Sequence, residues 1–279
     1  MIPFMHYLIK STKIIIFCVL FMNFQSIFAD HPFSYDLHLK VKPGNSDRVM
    51  IMAHGMGGDY RIQEFIPVKD TLVSFNFPDY SYGFRTIEAK KTTFGTIQEL
   101  LPLLYVIKTV VIDQSHSKVD LYGFSAGGGA IINAIGVLNT NRFDNELQTI
   151  GINQNEKVIL LDVIQKGIII LEVPLKSIQE IIDYRKGNNQ DLIVMQKRYQ
   201  LNDMEPIYSL KYLKGLVLNI IVYFQNPDEV LSNRDDQMFY NQLKEINANG
   251  TTKLIIGHGG GHVSTHPELW KYYFATFKR

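Results

Sequence analysis

Val119-Asp120-Leu121-Tyr122-Gly123-Phe124-Ser125-Ala126-Gly127 is the stretch on which the fold turns. The short apolar run VDLY reads as a strand, and residues 126–138 read as a helix. Between them lies G-x-S-x-G. A chain that passes from strand to helix in so few residues must bend sharply. The bend presents the serine at the carboxyl edge of a sheet, and the flanking glycines remove side chains that would strike the neighbouring strand and helix. The new helix aims its first N–H groups at negative charge developing there. Ser125 is therefore the candidate nucleophile. Five letters recur by chance in many chains; the strand before them and the helix after them carry the reading.

Working outward, apolar runs at 48–53 (RVMIMA), 71–77 (TLVSFNF), 157–163 (KVILLDV), 216–224 (LVLNIIVYF) and 252–256 (TKLII) read as further strands. Residues 92–112 carry Ile97, Leu100, Leu101, Leu104 and Ile107 at helical spacing despite Pro102, and 267–277 read as a closing helix. Short buried strands alternating with helices predict the α/β class, with a mostly parallel central sheet and helices on both faces. Residues 164–215 hold helix-like stretches at 175–184 and 192–199 and no clear strand rhythm. A mainly helical cap insertion over a site is expected there. Its apolar runs Ile168-Ile169-Ile170-Leu171 and Leu192-Ile193-Val194 fit either an apolar acyl group or the cap's own core. No internal repeat or low-complexity tract is present.

A serine hydroxyl is a weak nucleophile at neutral pH. It needs a base within hydrogen-bond reach, and the base needs an orienting acid. The loop after the last strand reads Gly257-His258-Gly259-Gly260-Gly261-His262-Val263-Ser264-Thr265-His266. His262 lies a few residues past the strand, just before the closing helix, and suits the base best. His258, nearer the strand end, is the alternative or a substrate contact. His266 is expected to start or cap the closing helix with Pro267. For the acid, Gln225-Asn226-Pro227-Asp228-Glu229-Val230 follows the strand at 216–224. Asp228 is favoured, and Asp162, at the end of the run at 157–163, is its main rival. Asp235 and Asp236 read as an exposed helix face.

The first strong strand ends in His54-Gly55-Met56-Gly57-Gly58. Glycines let a backbone approach a ligand closely, so Gly55 and Gly57 are candidate substrate contacts. The N–H groups of Met56 and Ala126 are the candidate oxyanion donors. His54 is expected to hold this loop by hydrogen bonding. A dinucleotide reading of Gly55-x-Gly57 with Asp79 fails because Tyr60 stands where a third glycine belongs. Histidines at 258, 262 and 266 would share one face of a helix, as metal ligands do, but Gly259-Gly260-Gly261 opposes a helix and no H-E-x-x-H occurs. Neither metal nor cofactor is expected.

The 279 residues suit one large α/β domain, and 46% apolar and 12% aromatic residues supply a sizeable core. The formal net charge of +1 gives no basic field for nucleic acid. The single cysteine, Cys18, lies in an N-terminal apolar run, so no disulfide is available. Lys10 and Lys13 precede the run 14–22, and small Ala29 precedes Asp30. Residues 1–29 read as a signal peptide or, if uncleaved, a membrane anchor. The protein is expected to be exported, periplasmic or secreted, with residues 30–279 as its folded domain.

These pieces together resemble the α/β-hydrolase family: the His54-Gly55-Met56-Gly57-Gly58 loop, Gly123-Phe124-Ser125-Ala126-Gly127, Asp228 and the Gly261-His262 loop, in the family's order. The resemblance implies a Ser–His–Asp triad, a cap after the sixth strand of the family core, and carboxyl-ester, thioester or amide substrates. The partner it implies is a small-molecule or lipid-like acyl compound. A peptidase, an acyltransferase and a non-catalytic binding protein share the fold. One departure is Gly127-Gly128-Gly129-Ala130, which opens the helix with unusual amounts of glycine. It either admits a bulky group near the nucleophile or allows tight helix packing.

Overall fold

The computed structural model describes residues 32, 33, 35–78, 93–184, 190–202, 204–263 and 266–277. Two units divide the chain, Met1–Ser34 and Tyr35–Arg279, and every element below lies in the second. The expected leader, Cys18 and Asp79 fall outside the described residues. Among the described residues no helix is long and apolar enough to cross a membrane.

Among the described residues seven strands form one sheet: β1 (Lys40–Lys42), β2 (Val49–Ala53), β3 (Thr71–Ser74), β4 (Val119–Phe124), β5 (Ile169–Glu172), β6 (Asn219–Asn226) and β7 (Thr251–His258). Their order is β1-β3-β2-β4-β5-β6-β7. Only β1 runs antiparallel, against β3. The central strands β2 and β5 are buried at every residue, which is why they read as unbroken apolar runs. Edge strand β7 instead mixes exposed and half-buried positions.

The helices are α1 (Ile97–Lys108), α2 (Ala126–Leu138), α3 (Asp144–Thr149), α4 (Gln154–Lys166), α5 (Ile178–Tyr184), α6 (Gln190–Asn202), α7 (Pro206–Ser209), α8 (Asp236–Ile246) and α9 (Pro267–Phe277). Helix α2 carries no polar face, and all of its residues are buried. It is wedged between the sheet and the insertion: Asn133 donates to the Met204 carbonyl, and Asn139 donates to that of Tyr212. On the other face of the sheet, Trp270 and Tyr273 of α9 pack with Met50, Met52, Tyr122, Ile170 and Tyr223. Each such large apolar side chain stabilises the fold by roughly 1.5–3 kcal/mol.

One element overturns its expectation. Residues 157–163 are not a strand but the middle of α4. Asn153 and Glu156 form a reciprocal capping box, which starts a helix just upstream. Lys157, Leu160, Val163 and Ile164 then face inward at helical spacing, while Val158 and Ile159 are 67% and 47% exposed. The missing strand is β5, built from the apolar run assigned to the cap. The expected cap at 164–215 is therefore corrected: its first part belongs to the sheet, and the helical insertion, with α5, α6 and α7, lies between β5 and β6.

Candidate active site

Ser125 sits at φ 53°, ψ −119°, between the end of β4 and the start of α2. A residue with a side chain visits this region only at an energetic cost of order 1–3 kcal/mol, held by its surroundings. Here the surroundings are named. The Ser125 N–H donates to the Glu172 carbonyl at 2.9 Å, and the Ser125 carbonyl accepts from Leu175 and Gly128 at 2.9 Å each. A Cβ on Gly123 would stand 2.6 Å from the Gly127 carbonyl oxygen, and one on Gly127 would stand 2.1 Å from that of Ala53. Both motif glycines are sterically required. The next two are as well: a Cβ on Gly128 meets Pro174 at 2.8 Å, and one on Gly129 meets Pro206 at 2.7 Å. The glycine-rich start of α2 serves tight packing against the insertion.

The last loop delivers His262, and the loop after β6 delivers Asp228. His262 Nε2 lies 2.9 Å from Ser125 Oγ, and its Nδ1 lies 2.7 Å from Asp228 Oδ2. All three residues are largely withdrawn from solvent, Ser125 being 8% exposed. Asp228 Oδ1 accepts from the Val230 and Leu231 N–H groups at 2.7 and 2.8 Å. Burial pushes the Asp228 pKa up, but the hydrogen bond from His262 and the backbone donors outweigh it and hold the carboxyl below its usual range. The His262 N–H donates to both Glu229 oxygens at 2.8 and 2.9 Å. The Phe124 ring stands 5.3 Å from the His262 ring.

Beyond β2, Gly58 N–H donates to the Gly55 carbonyl at 3.0 Å, closing a turn around Met56 and Gly57. A Cβ on Gly55 would fall 2.9 Å from the Ser125 Cβ, so this loop passes directly beside the candidate nucleophile. The Met56 and Ala126 N–H groups donate to no protein acceptor among the described residues. Buried His54 takes a hydrogen bond from the Phe77 N–H on Nε2 at 3.1 Å, so its proton sits on Nδ1, 2.7 Å from the Gly55 carbonyl. Burial lowers its pKa to about 4, against a lesser raising effect of that carbonyl. It is a neutral strut.

Asp162 is exposed on α4 and pairs with Lys166 at 2.5 Å, so it is no rival to Asp228. Asp236 is not on an exposed face, as expected, but half-buried, holding Lys176 at 2.6 Å; Asp235 is half-buried too. His258 ends β7 opposite Asn226, exposed. Gly57, at φ +77°, has open space around it. His266 does precede α9, its carbonyl accepting from Leu269, but its ring turns inward onto Glu172 rather than capping the helix. Glu229 and Glu172 are residues that sequence reasoning missed. An acid adjacent to Asp228 was the only signal for the first, and the misassigned β5 hid the second. Among the described residues no group of three or more His, Cys, Asp or Glu side chains is arranged to hold a metal ion.

No protein-family model and no curated protein sequence matches this chain. Solved structures do match it. Est1E from Butyrivibrio proteoclasticus, with bound ferulic acid, superposes at a TM-score of 0.57 and 13% identity over 87% of this chain and 96% of its own. Esterase B from Lactobacillus Rhamnosis gives 0.56 and 13%, over 96% and 93%. Acylaminoacyl peptidase from Pyrococcus horikoshii gives 0.58 and 14%, over 88% of this chain but 40% of that longer protein. At such identities the likeness is one of fold, and the fold is that of the α/β-hydrolases.

Proposed function

We propose that this protein is a serine hydrolase that cleaves carboxyl esters through an acyl-enzyme. One observation carries the reading: a strained turn presents Ser125 Oγ 2.9 Å from an imidazole whose other nitrogen rests on a carboxylate at 2.7 Å. His262 takes the Ser125 proton as the oxygen attacks the carbonyl carbon. Asp228, kept ionised, fixes the tautomer and stabilises the imidazolium. The Met56 and Ala126 N–H groups receive the oxyanion, and loss of one such donor typically costs on the order of 10²–10³ in rate. The imidazolium then protonates the leaving alcohol. Water, deprotonated by the same ring, releases the acid. The esterases among the structural matches support an ester substrate, and the peptidase among them supports an amide as the second reading.

Hydrolysis of p-nitrophenyl acetate, a long-chain p-nitrophenyl ester and a peptide p-nitroanilide tests the assignment. The account expects the esters to be turned over faster than the anilide, with all activity lost in Ser125→Ala. Faster anilide hydrolysis would favour the peptidase reading, and a folded protein inert to all three would favour a binding protein. Residues 1–29 support a further part of the proposal, export by a cleaved leader. The mass of the protein recovered from an expressing cell's envelope or medium tests it.

A further inference from the structure

A second histidine–carboxylate pair lies beneath the first. Glu172 ends β5 and is 4% exposed; His266 is 2% exposed. Glu172 Oε1 lies 2.5 Å from His266 Nδ1, and Oε2 accepts from the Tyr122 hydroxyl. On its far side His266 Nε2 lies 3.3 Å from the Gly261 carbonyl, the residue just before His262. The His266 ring lies against that of Tyr223, 4.5 Å between centroids and 32° apart. The same Glu172 accepts the Ser125 N–H on its main-chain oxygen. One residue thus ties down the amide of the nucleophile and, through His266, the backbone entering the base.

We infer that Glu172 and His266 are positioning residues that set the His262 loop against Ser125. The inference rests on the esterase reading given above. Both ring nitrogens of His266 face acceptors, a carboxylate and a carbonyl, so holding both requires the imidazolium. The groups around the ring agree. Burial opposes the charge, but Glu172, the Gly261 carbonyl and, more distantly, Glu268 of α9 outweigh it and raise the His266 pKa. Tyr122 of β4, its own pKa raised by burial and by Glu172, remains a donor. Tyr223 of β6 directs its hydroxyl to Gln225, which in turn donates to the Gly259 carbonyl. A neutral ring has one N–H and must release either Glu172 or Gly261. Small misplacements of a reacting group lower rates steeply, up to about 10²-fold for about 1 Å.

The test is kinetics of full-length Glu172→Gln, His266→Gln and the double variant on p-nitrophenyl acetate, with circular dichroism to verify folding. Each single variant is expected to lower kcat by roughly 10- to 100-fold with KM within about twofold, and the double variant to be no worse than the poorer single, because the two act as one unit. In the wild type, kcat should fall at alkaline pH as the imidazolium is lost, following the His266 titration read by NMR. If a glutamine variant does not fold, that coincidence decides: coinciding curves support the inference, and diverging ones, or a neutral His266 at pH 7, overturn it. A His266→Gln protein with wild-type kcat and alkaline limb also overturns it while leaving the esterase reading intact. A wild type that hydrolyses no ester overturns both.

Discussion

His262 and His266 stand four residues apart, and each rests Nδ1 on a carboxylate. They differ at Nε2. That of His262 meets a hydroxyl, which can give up a proton; that of His266 meets a carbonyl, which cannot. The difference teaches that a carboxylate–imidazole pair is not in itself catalytic. In the proposed mechanism the far partner decides whether the ring shuttles a proton or anchors a loop. Under that mechanism the two carboxylates have different tasks: Asp228 orients a ring that charges in each turnover, whereas Glu172 rests on a ring held between two acceptors.

Breaking the His262 side of the comparison should produce the largest effects. Ser125→Ala is expected to lower kcat/KM for an aryl ester on the order of 10⁶-fold with the fold unchanged, as measured by ester hydrolysis and circular dichroism. Asp228→Asn leaves the shape but favours the wrong tautomer, and should lower kcat on the order of 10⁴-fold. If Asp228→Asn retains wild-type kcat, Asp228 is not the orienting acid.

Much of this site was legible in the sequence, for a physical reason. Gly123, Ser125 and Gly127 act through a turn whose demands are local, so five residues and their flanks reveal it. Helix α2 followed directly. The candidate acid and base were narrowed by loop position but not fixed, because three histidines share ten residues. The run KVILLDV defeated the reading because a short apolar stretch suits strand and helix alike. The signal that separates them was the capping box at Asn153 and Glu156. Misplacing that strand left β5 in the cap and Asp162 as a rival acid. The Glu172–His266 pair spans 94 positions and depends on strand order, so no local pattern could show it.

A third histidine sharpens the comparison from the opposite side. His54 is held neutral, with a folded pKa of about 4 against an ordinary 6.5. Between those values the unfolded chain binds a proton that the folded chain refuses. Its contribution to stability is therefore full above pH 6.5 and lost as pH falls toward 4. From pH 7 to pH 5 the loss should reach about 2 kcal/mol. Urea unfolding of wild type and His54→Gln at both pH values measures it: the variant should be less stable at pH 7 and lose less on acidification. Equal slopes would contradict a buried neutral ring. The smallest effect belongs to Asp162→Asn on the face of α4, where an exposed pair with Lys166 contributes under about 1 kcal/mol. Its ester hydrolysis and melting temperature should match wild type within error.

The central claim is that Ser125 is an activated nucleophile. Reacting the full chain with a fluorophosphonate and mapping the adduct by peptide mass spectrometry tests it most directly. The account predicts one adduct, on Ser125, formed rapidly in wild type and very slowly in His262→Ala. A folded protein that takes up no label, or carries it on another residue, would contradict the account.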